Sequence, residues 1–251
     1  MTKEKQVTNL SINLNAVAYL RNRRDVPWPD LINIARLVLD AGAQGITAHP
    51  RPDERHIRRS DVANLSTLMQ TEYPLAEFNI EGYPSPEFFE LVDKAQPTQV
   101  TLVPDLPGQS TSDHGWDIDA NADFLKAEIK KYHSMGSRVA LFVDPNPQNA
   151  DLALQVGADR IELYTGPYGA AQDDQDIQKE LECLASTAKR ASKLQTLHVN
   201  AGHDLTVENL KPLTDRIDNI AEVSIGHGIT SDALVIGFPA AVRRYLNVLN
   251  V

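Results

Sequence analysis

One pattern constrains this chain more than any other. A short apolar run, a polar loop and an amphipathic stretch recur eight times with no composition break between them. The apolar runs are Leu10–Leu14, Gly45–Ala48, Leu75–Ile80, Gln99–Val103, Arg138–Val143, Arg160–Tyr164, Leu194–Asn200 and Ile220–Ile225. Runs this short and this apolar read as strands covered on both faces. The periodicity between them predicts helices over about Asp30–Ala41, Ser60–Gln70 (with Ser60 as N-cap), Ser85–Lys94, Ala120–Met135, Gln148–Val156, Asp176–Lys193, Val207–Leu213 and Ser231–Leu249. Glycines such as Gly42, Gly136 and Gly157 stand just before the next strand, where a left-handed residue ends a helix. Alternating strands and helices imply a parallel sheet. Eight such units in 251 residues fit a single (β/α)8 TIM barrel. An open doubly wound sheet competes, but its first turn would carry a glycine-rich dinucleotide loop, and Ser11-Ile12-Asn13-Leu14-Asn15 has none. We expect one barrel domain over 1–251, with 1–8 as a polar N-terminal arm.

Composition narrows the function. A 42% hydrophobic content is enough for a large core, and a formal net charge of −10 argues against nucleic-acid or anionic-membrane partners. An anionic ligand would therefore need a local pocket. The single cysteine, Cys183, cannot form a disulfide within the chain and falls in a helical stretch as a core residue. Met1–Thr8 has no apolar signal core and no run of about 18 apolar residues occurs, so the expected location is cytoplasmic.

In a barrel of this kind the chemistry lies at the C-terminal strand ends. These ends carry Asn13 and Asn15, His49 and Arg51, Asn79 and Glu81, Val103-Pro104-Asp105 leading to Thr111, Asp144, Glu162 and Tyr164, Asn200 to His203, and Gly226-His227-Gly228. The opposite ends hold mostly Gly, Ala, Pro and isolated charges. His49, Glu81, Glu162, His203 and His227 together suit repeated proton transfers near neutral pH. The stiff loop around Pro50-Arg51-Pro52 carries two arginines and His56, an arrangement suited to an anion. Gly226-His227-Gly228 offers backbone N–H groups at a helix start, a second anion site. Its counterpart would use Arg51 with His56, or the Arg21–Arg24 loop. Two such pockets imply a bisphosphorylated substrate or two phosphorylated substrates. A competing reading makes His49, Glu81, Glu162 and His203 metal ligands, but no His-x-His spacing occurs and Arg51 would repel a cation. The long loop Pro104–Asp119 is the expected lid.

Asn13, then Leu20-Arg21-Asn22-Arg23-Arg24, then the stretch Gly45 to Ile57 resembles the pyridoxine 5′-phosphate synthase family of vitamin B6 biosynthesis. Asn79-Ile80-Glu81, Gln99 to Asp105, Ile161-Glu162, Thr165-Gly166, Val199 to His203 and Ile225-Gly226-His227 follow in the family's order. The resemblance implies an (α/β)8 barrel assembled as a homo-octamer, without metal or organic cofactor. It also implies condensation of 3-amino-2-oxopropyl phosphate with 1-deoxy-D-xylulose 5-phosphate. By position, His49 and Glu81 would accept protons, His203 would donate one and Glu162 would stabilise charge. Asn13, Arg24, Asp204, Gly226 and His227 would hold the aminoketone phosphate. Arg51, His56 and Thr111 would hold the second substrate, with Asn15 beside it. The chain departs from the family at Asn15-Ala16, commonly Asp-His, and at Asp204, usually Gly. These departures motivate a third reading, a non-catalytic paralogue that binds a phosphorylated metabolite.

Overall fold

Segments that are apolar throughout become strands because both of their faces are covered. In the computed structural model, which describes residues 7–105, 108–109 and 111–250, β2 (Gly45–Ala48), β4 (Gln99–Leu102) and β8 (Ile220–Ile225) are buried at every residue. With β1 (Asn9–Asn13), β3 (Glu77–Gly82), β5 (Arg138–Val143), β6 (Arg160–Tyr164) and β7 (His198–Gly202) they form a closed parallel barrel in chain order. Closure is made by β1 on β8, with Ser11 opposite Ser224. The expected TIM barrel is the observed fold.

Helices surround the sheet: α1 (Asn15–Asn22), α2 (Leu31–Asp40), α3 (Arg59–Thr71), α4 (Pro86–Ala95), α5 (Ala122–Ser134), α6 (Pro147–Val156), α7 (Gly166–Ala170), α8 (Asp174–Ala191), α9 (Val207–Arg216), α10 (His227–Ile236) and α11 (Phe238–Leu249). Their starts follow side-chain chemistry: Asp30 accepts from the N–H of Ile32 and Asn33 at 3.0 and 3.1 Å, and Ser85 accepts from Phe88 at 3.2 Å. Gly136 and Gly157 end α5 and α6 with φ of +85° and +94°, as their placement predicts.

Several boundaries differ from the sequence reading. Ser60 lies inside α3 rather than capping it; the start is fixed by Asp61, whose Oδ2 accepts the Arg58 N–H at 2.7 Å. Leu75 is fully exposed, so β3 starts only at Glu77, and β7 likewise starts late, at His198. The expected final helix is two helices, broken at Gly237 (φ +80°) before Pro239. Helix α1 fills part of the expected arginine loop. Arg21 makes this possible: it is buried and forms a two-pronged pair with Asp61 at 2.7 and 2.8 Å. Met1–Gln6 of the polar arm, and Leu106, Pro107 and Ser110 of the long loop, lie outside the described residues.

The interior of the barrel is polar. Ser11 and Thr47 hydroxyls are 2.8 Å apart, and Thr101 donates to Asn79 Oδ1 at 3.0 Å. At the N-terminal end, Arg160 pairs with Glu77 (3.5 Å) and Glu222 (3.7 Å) and donates to Asn200 Oδ1 at 3.1 Å. The charges that look isolated in the sequence thus close the floor of the barrel beneath the site.

Candidate active site

At the C-terminal mouth the strand ends enclose a cavity of about 260 Å³. Asn13, Asn15, His49, Arg51, His56, Glu81, Thr111, Glu162, His203, Asp204, Gly226 and His227 all line it. Of the residues expected at the site, Arg24 is the exception: it is exposed beyond α1 and does not line the cavity. Ala16 does not line it either, whereas its neighbour Asn15 does.

A relay of amide groups sets the first strand end against the second. Asn13 accepts the Asn15 N–H on Oδ1 at 2.9 Å and donates from Nδ2 to Glu81 Oε2 at 3.4 Å. Asn15 Oδ1 in turn accepts the His49 N–H at 3.0 Å. The imidazole of His49 is buried, with Nδ1 3.7 Å from Glu81 Oε2 and Nε2 3.7 Å from Asp105 Oδ2. Burial, reinforced by Arg51 and His56, pushes the His49 pKa well below the ordinary histidine range. Burial also drives His56 down to about 4, with Arg51 and Arg55 adding to it. His56 Nδ1 accepts the Ile57 N–H at 3.0 Å, so the neutral ring carries its proton on Nε2.

The two interior carboxyls behave in the opposite sense. Burial raises Glu162 to about 7, against a weaker opposing hydrogen bond from Thr101. Burial, then the charge of Glu162, then that of Asp105, raises Glu81 well above the usual carboxylate range. Histidines pressed towards neutrality thus stand beside carboxyls pressed towards protonation, a pairing suited to proton transfer, with Glu162 titrating near neutral pH. Gly202 is what lets β7 run this close to Glu162: a Cβ there would lie 2.6 Å from Oε1.

His203 follows β7 with φ of +97°, and Asp204 with +53°. Thr165 holds this left-handed corner by donating its hydroxyl to the carbonyls of Gly202 and His203. The His203 ring stacks edge-on to Tyr164 with centroids 5.3 Å apart, and its Nε2 lies 3.0 Å from Thr111 Oγ1. Burial lowers its pKa, and Asp204 opposes that shift. Gly226 stands at the N-cap of α10, and a Cβ on it would come within 3.1 Å of Asn13.

The structure adds residues that the sequence reading left off its site. Ser224, 5% exposed, lines the cavity, and its hydroxyl has no hydrogen-bond partner among the described residues. The alternation Glu222, Ser224, Gly226 along β8 is the signal that would have placed it inward. Phe142 and Ser112 also line the wall. Asp105, just past β4, accepts from Arg51 Nη2 and from Ser112 Oγ at 2.8 Å. Gln109, on the long loop, is bound through its carbonyl by Arg51 (3.3 Å) and Arg55 (2.8 Å). Among the described residues, no three His, Cys, Asp or Glu side chains gather as for a metal ion. No described helix is long and apolar enough to cross a membrane.

A closed parallel barrel with titratable side chains converging at its C-terminal mouth is a barrel enzyme. Residues 10–251 match the family described as Pyridoxal phosphate biosynthesis protein PdxJ. The chain is 56% identical to pyridoxine 5′-phosphate synthase of Brucella abortus (strain S19) over 96% of its length and 98% of that protein. It is 55% identical to the enzyme of the same name from Brucella suis (strain ATCC 23445 / NCTC 10510), with the same coverage. The chain belongs to the PdxJ family. More distant barrels share the fold alone: tryptophan synthase subunit alpha from Legionella pneumophila (TM-score 0.65, 14% identical, 97% of this chain and 93% of that one) and the YdjI aldolase from Escherichia coli K12 (0.61, 11%, 97% and 89%).

Proposed function

We propose that the chain is a pyridoxine 5′-phosphate synthase, condensing 3-amino-2-oxopropyl phosphate with 1-deoxy-D-xylulose 5-phosphate and releasing phosphate and water. The observation that carries this reading is full-length identity to synthases of that name. In the proposed sequence the amine adds to the deoxyxylulose ketone and water leaves to give a Schiff base. Proton removal from carbon then permits ring closure and the eliminations that aromatise the ring. Neutral His49 accepts protons, as does Glu81 in its ionised form, and His203 donates one to a leaving oxygen. Glu162, with a pKa near 7, stabilises the positive charge that develops on nitrogen. Asn13, Gly226 and His227 hold the aminoketone phosphate at the start of α10, with Asp204 beside them. Arg51, His56 and Thr111 hold the second substrate, His56 as a neutral donor. Arg24 reaches an aminoketone phosphate only by a rearrangement or from another copy, because it is exposed outside its own cavity.

The proposal extends to one cytoplasmic barrel domain assembled as a homo-octamer. Supporting assembly, Leu234, Val235 and Ile236 at the end of α10 are 75, 85 and 45% exposed, and α1 adds exposed Tyr19 and Leu20. Light scattering reads the mass. Purified protein incubated with both substrates should develop pyridoxine 5′-phosphate fluorescence and release phosphate in step. Absence of both products, with binding of either substrate retained, would overturn the assignment in favour of a non-catalytic paralogue.

A further inference from the structure

The imidazole of His49 stands between two carboxylates, and the two do not face the same space. Glu81, on the Nδ1 side, lines the cavity at the barrel mouth. Asp105, on the Nε2 side, does not; it lines a neighbouring space of about 650 Å³ between the loops after β2, β3 and β4, which His49 and Arg51 also border. Of the two carboxyls beside the ring, the one on the Nδ1 edge is the one that shares the cavity at the barrel mouth. A base working through Nδ1 needs its lone pair there and its proton on Nε2.

We propose that Asp105 is the positioning residue for His49: it selects the Nε2–H tautomer and takes up the charge of the imidazolium formed when Nδ1 accepts a proton. This inference rests on the proton-acceptor role proposed for His49. Three observations carry it. Asp105 Oδ2 is a carboxylate oxygen 3.7 Å from Nε2, one small movement from a hydrogen bond; catalytic hydrogen bonds are often this loose before substrate binds. The carboxylate is anchored by Arg51 and Ser112, so the ring adjusts to it and not the reverse. Its other oxygen, Oδ1, is buried with no hydrogen-bond partner among the described residues, leaving acceptor capacity unused.

The surroundings make such a residue necessary. Arg51, Arg55, His56 and His203 all oppose a positive charge on His49, and burial opposes it more. Without a carboxylate behind it, the imidazolium would form in a site that rejects it. The arrangement follows the logic of a buried aspartate orienting a histidine base on an unrelated fold. Because Asp105 also holds Arg51, a group expected on the second substrate, one carboxylate aligns both the base and the anion site.

The test is Asp105→Asn, which keeps the size and an oxygen for Arg51 and Ser112 at the Oδ2 position that also faces His49 Nε2, but removes the negative charge. A neutral amide oxygen already shared by two donors is a weaker acceptor for Nε2–H, so the preference for that tautomer falls. In the wild type, ¹⁵N NMR of histidine-labelled, sedimented protein, with His49→Gln identifying the resonance, should show Nε2–H. Asp105→Asn should shift His49 towards Nδ1–H, lower kcat by roughly 10²- to 10⁴-fold, and leave KM for the aminoketone phosphate within about threefold. Asp105→Glu should recover part of the lost turnover. An unchanged tautomer, or a raised KM for deoxyxylulose phosphate at normal kcat, overturns the proposal and reduces Asp105 to a support for Arg51. The tautomer is read without turnover, so an inactive wild type would refute the function while leaving this geometry testable.

Discussion

Glu162→Gln should make the protein more stable and less active at once, and the stability gain should depend on pH. Glu162 is 4% exposed inside the barrel, and burial raises its pKa from 4.5 to about 7. Between those values the folded protein keeps a proton that the unfolded chain releases. The native state therefore loses stability as pH rises through that window, and the loss is complete above it. The difference corresponds to roughly 3 kcal/mol against the ionised form at pH 8 and about 1 kcal/mol at pH 5. Glutamine has nearly the same shape and can still accept the long Thr101 hydrogen bond on its amide oxygen. It does not titrate. For a chain of this size the gain corresponds to a rise in Tm of about 6–12 °C at pH 8 and about 2–4 °C at pH 5.

The same change removes a charge that helps raise Glu81, so Glu81 should titrate lower in the variant. Calorimetry at the two pH values and fixed ionic strength reads the stability, and product formation reads the activity. An equal Tm shift at both pH values, or a loss of stability at pH 8, would refute the reasoning, because a buried carboxyl held near 7 must favour its neutral isostere most when it is ionised.

Glu81→Gln should cut kcat by roughly 10²-fold or more with binding little changed, as expected for losing a general base; near-normal turnover removes Glu81 from the mechanism. Gly226→Val should weaken the aminoketone phosphate in calorimetry, since even a Cβ there meets Asn13 at 3.1 Å; unchanged affinity refutes the α10 site. Arg21→Ala leaves Asp61 buried without its partner and should destabilise by about 3–5 kcal/mol, read by urea unfolding; a change below about 1 kcal/mol would show that the pair is not the anchor of α1. Asp204→Gly removes a group that raises the His203 pKa, so the His203 titration should move lower; no movement means that the Asp204 charge does not reach the ring.

The barrel was legible because its signal is additive: eight short apolar runs, each weak, agree on one topology. Individual boundaries were less so. Arg21 reads as a loop residue until Asp61, forty positions later in the chain, makes it a core residue. Leu75 reads as strand but points to solvent. The membership of the site was legible for a related reason. In a barrel the end of each strand faces one mouth, so knowing the strands nearly fixes which side chains meet. Arg24, on the loop beyond α1, is outside that rule.

Protonation obeys a different logic. His56 and His203 look alike in sequence, but one accepts a neighbouring N–H and is held down by burial and then by two arginines, while the other has Asp204 working against its burial. These differences come from distances across loops that no local pattern encodes. The corner at His203 and Asp204 shows where the two logics meet. Two successive non-glycine residues at positive φ cost free energy that a turn of ordinary composition would avoid. Thr165 holds both carbonyls of that corner, and Gly169 approaches Asp204 so closely that a Cβ would lie 2.6 Å from its carbonyl oxygen. Thr165 directly follows β6 and Gly169 lies in α7, far from His203 in sequence, so the residues that enforce the strained corner could be found only once the barrel had brought β6 beside β7.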